Sequence, residues 1–321
     1  MTHPDIDQPQ ANKPVLLFGE VLFDCFPERE IAGGAPFNVA HHLLGLGRDE
    51  GIFPVLISRV GDDVRGQRLR GIIQAAGLTA HGIQQDEVHA TGVVRVTEQP
   101  TGGHCFEIPP DQAWDAIQAE TALAITGEPQ WLYFGTLAQR AGSHAALRAI
   151  MQATHPRGFL DVNLRDPWVR EEVLRWSLQQ ADVVKVSGEE LLRIAELFGI
   201  SGDTALQRGE RLVQAFNIGQ LLVTNGEQGA WLLNTRGEYA QTSPAQAAEN
   251  PPPIVDTVGA GDAFAAVFLV GLTLAWPVQQ TLDRAHAFAA AICGSRGAIP
   301  EHPAFYAPFI SEWQLGRNPP S

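Results

Sequence analysis

Two aspartates and two glycines lie close together in Asp256-Thr257-Val258-Gly259-Ala260-Gly261-Asp262. An apolar run, Ala263 to Leu272, follows at once, with Phe264, Phe268 and Leu272 spaced as on one face of a helix. The pattern predicts a tight loop that becomes the N-terminus of a buried helix. Gly259 and Gly261 allow backbone conformations closed to other residues and let a ligand approach the main chain. First-turn amides have no intrahelical partner and sit at the positive end of the helix dipole. The amides from Gly259 through Ala260 and Gly261 to Asp262 would therefore cradle an anion. A carboxylate beside such a cradle repels a bound phosphate. Asp262 fits if it accepts a proton from a hydroxyl that attacks phosphorus while the amides stabilise the developing charge. The alternative is a first-turn acid that merely suits the dipole.

A second polar group lies near the start. Asp24 precedes Gly33-Gly34-Ala35-Pro36-Phe37-Asn38, where the diglycine admits a close ligand and Pro36 suits a first helical turn. Asp24 and Asn38 can meet polyol hydroxyls, or serve as turn and cap residues.

These groups need a scaffold, and the apolar runs supply one. Short buried strands are predicted at Val15–Gly19 and Pro54–Val60, with helices from Pro36 to Leu46 and up to about Ala76. From Trp131 the alternation is regular. Strands are predicted at Trp131–Gly135, Phe159–Asn163, Asp182–Ser187 and Gln220–Thr224. Helices are predicted near Ser143–Thr154, Val169–Gln180, Gly188–Phe198 and Thr204–Phe216. Two more strands, Gly229–Asn234 and Glu238–Thr242, precede a proline-rich approach at Glu249–Pro253, and a helix is expected over Val278–Cys293. Such repetition implies a mainly parallel sheet covered on both faces. Ligands bind such sheets beyond the carboxyl ends of the strands. Asn163 and Arg165, Lys185 and Ser187, then Thr224 and Gly226 end three successive strands and converge on one edge. Between His81 and Pro110 the pattern is instead that of a hairpin: Thr91–Thr97, a turn at Pro100–Gly103, and His104–Ile108.

Composition narrows the function classes. The 321 residues are 45% hydrophobic, as in ordinary globular proteins, and no apolar stretch reaches membrane-spanning length. The start, residues 1–13, reads as a loose polar tail without the apolar core of a signal peptide. Three scattered cysteines read as reduced thiols of a cytoplasmic protein, with neither zinc spacing nor a disulfide frame. A net charge of −14 argues against nucleic acid, though not against a small phosphorylated ligand. Lys185 is the only lysine beyond the tail, so its position is informative.

The string from Asp256 to Phe264 closely resembles the C-terminal signature of the ribokinase-like (PfkB-type) carbohydrate kinases. GEVLFD with GGAPFNVA is similar to that family's sugar-binding motif, in a form nearest its fructokinase branch, and RVGDDVRG resembles its other recurring signature. The likeness runs in order from about Val15 to Ala298. It implies a three-layer α/β sandwich over 14–321 with a small β lid formed by about 22–34 and 81–110. The implied reaction moves the γ-phosphoryl of Mg-ATP to a hydroxyl of a monosaccharide, fructose or a related sugar. By resemblance, Asp24, Gly33, Gly34 and Asn38 hold the sugar, with Arg95 and Phe106 facing it from the lid. Asp161-Val162-Asn163-Leu164-Arg165 resembles the family's DxNxR motif, which touches the reacting phosphate or sugar. Lys185-Val186-Ser187-Gly188-Glu189-Glu190 resembles a segment ending in NxxE. There Glu190 would help hold hydrated magnesium, and Ser187 stands in for the asparagine. Thr224, Gly226 and Gly229 match the nucleotide loop, with Asn225 in a place where an apolar residue is commoner. Potassium is implied at Asp256, Val258 and Ser295. Two other readings share these residues: a nucleoside kinase of the same fold, and a sugar-binding regulator without turnover. An exposed lid edge also makes a homodimer plausible.

Overall fold

The computed structural model describes residues 14–98, 104–243 and 254–316. The expectations for the tail, for the Pro100–Gly103 turn and for Glu249–Pro253 fall outside the described residues.

The strands are β1 (Pro14–Phe18), β2 (Leu22–Cys25), β3 (Glu30–Gly33), β4 (Phe53–Gly61), β5 (Ile83–Asp86), β6 (Gly92–Glu98) and β7 (His104–Glu107). They continue with β8 (Trp131–Gly135), β9 (Arg157–Asp161), β10 (Val183–Ser187), β11 (Gln220–Thr224), β12 (Ala230–Asn234) and β13 (Tyr239–Gln241). The helices are α1 (Ala35–Gly47), α2 (Val64–Ala75), α3 (Ala119–Thr126), α4 (Ala141–Thr154) and α5 (Glu171–Gln180). They continue with α6 (Gly188–Leu197), α7 (Ala205–Phe216), α8 (Ala260–Thr273), α9 (Val278–Cys293) and α10 (Ala307–Trp313).

Nine strands form one sheet in the order β13-β12-β11-β10-β9-β8-β1-β4-β5. The pairs from β5 to β11 are parallel, and β12 and β13 are added antiparallel at one end. The inner strands are apolar on both sides because both faces are covered. In β1, Val15 and Leu17 join one core with α1, α8 and α9, while Leu16 and Phe18 join the other with α4 to α7. That alternation makes the molecule three-layered. α8 is central: Ala263 to Thr273 are all buried, the buried helix that the apolar run predicted.

A separate four-stranded sheet, β3-β2-β6-β7, lies over a small apolar cluster of Leu22, Val94, Val96, Ile108, Trp114, Leu137 and Ala138. The expected lid is here, with one correction. Residues 83–86 pair parallel to β4 and extend the large sheet, so the 81–110 range was too generous at its start. Arg140 fastens the base of the lid. Its guanidinium is sandwiched between the rings of Trp114 and Trp168, forms a two-point ion pair with Asp115 and donates to the Pro109 carbonyl. Trp168 in turn donates its indole N–H to the Ile108 carbonyl at 3.1 Å. α3 and α10 had no counterpart in the sequence reading.

Candidate active site

A cleft of about 720 Å³ opens between the lid and the carboxyl ends of β9, β10 and β11. Its polar lining comes from separate elements, each set by local sequence. Gly34, at φ 111, turns the chain from β3 into α1, and a Cβ there would lie 2.3 Å from the Glu20 carbonyl oxygen. Only glycine fits that approach. The turn delivers Asn38 into the cleft one turn along α1, where its Nδ2 donates to Asp262 Oδ2 at 2.7 Å. Asn38 is 6% exposed, and its Oδ1 is buried with no hydrogen-bond partner among the described residues.

Gly259 caps α8 in the left-handed conformation at φ 79, and a Cβ there would lie 2.3 Å from that of Ala298. The loop is laced to the C-terminal segment by Asp256, whose carboxylate accepts from the Val258 and Gly297 amides, each at 3.0 Å. The Ala260 amide turns back to the Thr257 carbonyl at 3.3 Å. The cradle expected from four amides therefore loses that of Ala260 and keeps those of Gly259, Gly261 and Asp262.

Lys185 is not a free cation. It is 6% exposed, and its Nζ donates to both carboxylate oxygens of Asp161 at 2.9 Å. The Tyr133 hydroxyl adds a donor to Asp161 at 3.2 Å. Burial pulls the Lys185 ammonium down, but Asp161 outweighs it and the net shift is upward, so the group stays charged. Its Nζ lies 3.4 Å from where a Cβ on Gly261 would stand, so Lys185 forms a floor under the loop. Arg165, on the segment after β9, is exposed and lines the cleft. The Asn163 backbone, at φ 45, turns this segment into the cleft, a conformation asparagine tolerates better than most residues. Glu190 and Ser187 make a capping box on α6, and Glu190 Oε1 also accepts from the Leu164 amide at 2.7 Å. Both Glu190 oxygens are thus engaged by amides, which suits an outer-shell partner of a hydrated ion rather than a direct ligand.

Of the six acids that line the cleft, three are shifted upward. Burial pushes Asp262 up to about 6, against the Asn38 hydrogen bond. Burial likewise raises Asp24 to about 6, with Arg165 opposing. Glu20 is raised to about 7 by burial, against its own amide and that of Ala35, which donates to its Oε1 at 3.2 Å.

The cleft brings together Asp24, Gly34, Asn38, Phe106, Asn163, Arg165, Lys185, Ser187, Glu190, Thr224, Val258, Gly259, Gly261 and Asp262. Other expected residues do not line it. Gly33 backs the Asp24 carboxylate, and Arg95 pairs with Glu107 on the lid surface at 3.0 Å. Gly226 and Gly229 shape the turn after β11, where a Cβ on Gly229 would strike the Thr242 hydroxyl. Ser295 gives its hydroxyl to the Ile292 carbonyl. Glu20 and Asp161 were not singled out from the sequence. An acid directly after the buried run Val15–Gly19 was the available sign for Glu20, since it ends an inner strand where ligands bind.

The model of the pfkB family carbohydrate kinases matches residues 7–304. A fructokinase from Escherichia coli is 33% identical over 274 residues, covering 81% of this chain and 84% of its own. An aminoimidazole riboside kinase from Salmonella typhimurium is 26% identical over 309 residues, covering 90% of this chain and 92% of its own. A fructokinase variant from Vibrio cholerae O395, solved in a fructose-, ADP- and potassium-ion-bound form, superposes with a TM-score of 0.70. It is 25% identical and covers 94% of this chain and 99% of its own.

Proposed function

The chain belongs to the pfkB family of carbohydrate kinases, and from that premise we propose that it transfers the γ-phosphoryl group of Mg-ATP to a hydroxyl of a neutral ketose, fructose or a close relative. The observation that carries the reading is Asp262, held by Asn38 in the first turn of α8 beside the amide of Gly261. In that position the carboxylate accepts the proton of the attacking hydroxyl while the first-turn amides stabilise charge on the transferring group. Asp24, Gly34 and Asn38 hold the sugar. Leu22, Val94, Ile108 and Leu137 give the lid an apolar wall that excludes the water that would otherwise hydrolyse ATP.

Asn163, Arg165 and Thr224 line the side toward the nucleotide phosphates, with Glu190 placed to hold waters of a bound magnesium ion. When bound, the magnesium ion neutralises phosphate charge. Potassium would be held by Asp256, Val258 and Ser295, on the two segments that Asp256 ties together through the Gly297 amide. Three carboxylates facing the sugar against the exposed Arg165 disfavour phosphorylated or acidic sugars.

Phe106, exposed on β7 above the cleft, supports a second reading in which a riboside base stacks there, in keeping with the aminoimidazole riboside kinase relative. An ADP-release assay over fructose, glucose, ribose and aminoimidazole riboside, with magnesium and with or without potassium, separates the two. Fructose-dependent release with the highest kcat/KM is expected. A tenfold or greater preference for the riboside, of order 1.4 kcal/mol in transition-state binding, would select the second reading.

A further inference from the structure

α1 carries a buried hydrogen-bond chain that the proposed reaction does not use. His42 lies one turn beyond Asn38 on the same face of the helix and is wholly buried. Its Nε2 is 3.0 Å from the Ala298 carbonyl oxygen, and its Nδ1 is 3.0 Å from the Tyr306 hydroxyl. The roles follow from the partners. A carbonyl only accepts, so Nε2 carries the hydrogen. Burial drives the pKa down to about 3, so the ring is neutral and Nδ1 must accept from Tyr306. The Tyr306 oxygen then accepts from His41 Nδ1, also at 3.0 Å. Every donor in the chain has one assignment, and it ends on Ala298.

Ala298 is the residue against which Gly259 lies, so closely that no Cβ fits between them. One residue earlier, the Gly297 amide holds Asp256 at the other end of the same loop. One face of α1 therefore grips the catalytic end of α8 twice: Asn38 holds the Asp262 side chain, and His42 holds the backbone on which the loop rests. Resting on the kinase reading above, we propose that His42 is a positioning residue for phosphoryl transfer. Through Ala298 it fixes Gly259 and so the direction of the Gly261 and Asp262 amides. Because Asn38 is untouched by its loss, the sugar site and the phosphoryl site separate in the measurement.

The test compares His42→Ala, His42→Gln and Tyr306→Phe in the full chain. His42→Ala should lower kcat about tenfold or more, as small misplacements at a reacting centre do, with the fructose Kd within about twofold. His42→Gln keeps an N–H for Ala298 and should recover most of kcat. Tyr306→Phe removes the two bonds of that hydroxyl, to His42 and to His41, without releasing Ala298. It should lower Tm much as His42→Ala does while leaving kcat within about twofold. Amide exchange across residues 256–262 should quicken in His42→Ala and not in Tyr306→Phe. If kcat falls in proportion to Tm in both variants, or stays unchanged in His42→Ala, the network serves stability alone. If the wild type turns over no sugar, the kinase reading fails separately. The exchange comparison then decides, and equal protection in the two variants overturns the positioning role.

Discussion

Asp262 sits among opposed influences, and their balance sets how it can act. Burial and the nearby Asp161 favour the protonated acid; the Asn38 hydrogen bond, Lys185 and Arg165 favour the carboxylate. With the result near 6, the group is ionised at neutral pH yet basic enough to take a hydroxyl proton. Replacing Asp262 with Asn should lower kcat by roughly 10²- to 10⁴-fold while sugar binding, measured by calorimetry, is largely kept. Near-wild-type turnover would remove it as the base. In the intact enzyme kcat/KM should fall as pH drops below about 6. Asn38→Ala should move that limb to higher pH, because it removes a donor that steadies the charged form. A profile that stays in place would show that another group sets the limb. The types of these two residues were readable from the sequence, but their contact was not. They lie 224 positions apart, and only the fold makes them neighbours. The pairing of Lys185 was hidden for the same reason, since its partner Asp161 stands on the adjacent strand.

At the scale of elements, the sequence declared its parallel strands because inner strands are apolar on both faces and end in glycine or polar residues. Parts of the chain that are short, or buried by distant partners, were hidden. β5 was taken into the lid because four residues cannot announce which sheet edge they join. α10, only seven residues long, is held by the ring cluster of Phe288, Phe309 and Trp313 rather than by its own propensity. The loop opening α8 shows how much a glycine motif can conceal. Gly259 and Gly261 look alike in sequence. Gly259 needs both a positive φ and the space against Ala298, whereas a Cβ on Gly261 would only touch Lys185 Nζ at 3.4 Å. Gly259→Ala should therefore cost roughly 1–3 kcal/mol in backbone strain, seen in urea unfolding, with a large loss of kcat. Gly261→Ala should unfold close to wild type. Equal destabilisation by the two would mean that Ala298 does not press on Gly259 as described.

Across the whole molecule, the cleft stores unfavourable charge. Asp24 and Glu20 are pushed to about 6 and about 7 by burial, so each binds its proton more tightly folded than unfolded. Groups of that kind contribute stability that is fully present below the unfolded pKa of about 4 and is lost as pH rises through the folded value. Other groups act in the opposite sense. Burial lowers His41, His42 and His144, so their contribution is lost as pH falls below the unfolded value of about 6.5. The net Tm profile therefore mixes both, and only a difference isolates the acids. Asp24→Asn and Glu20→Gln should each raise Tm by roughly 2–4 °C at pH 8, where the wild-type carboxylates carry charge. The gain should shrink toward zero near pH 5, where the wild-type groups are already mostly protonated. Calorimetry of both variants against wild type at the two pH values reads this directly. A gain of the same size at both would mean that it comes from packing and not from charge. The same substitutions should weaken sugar binding, because an ionised carboxylate that destabilises the empty cleft regains its hydrogen bonds once hydroxyls fill it.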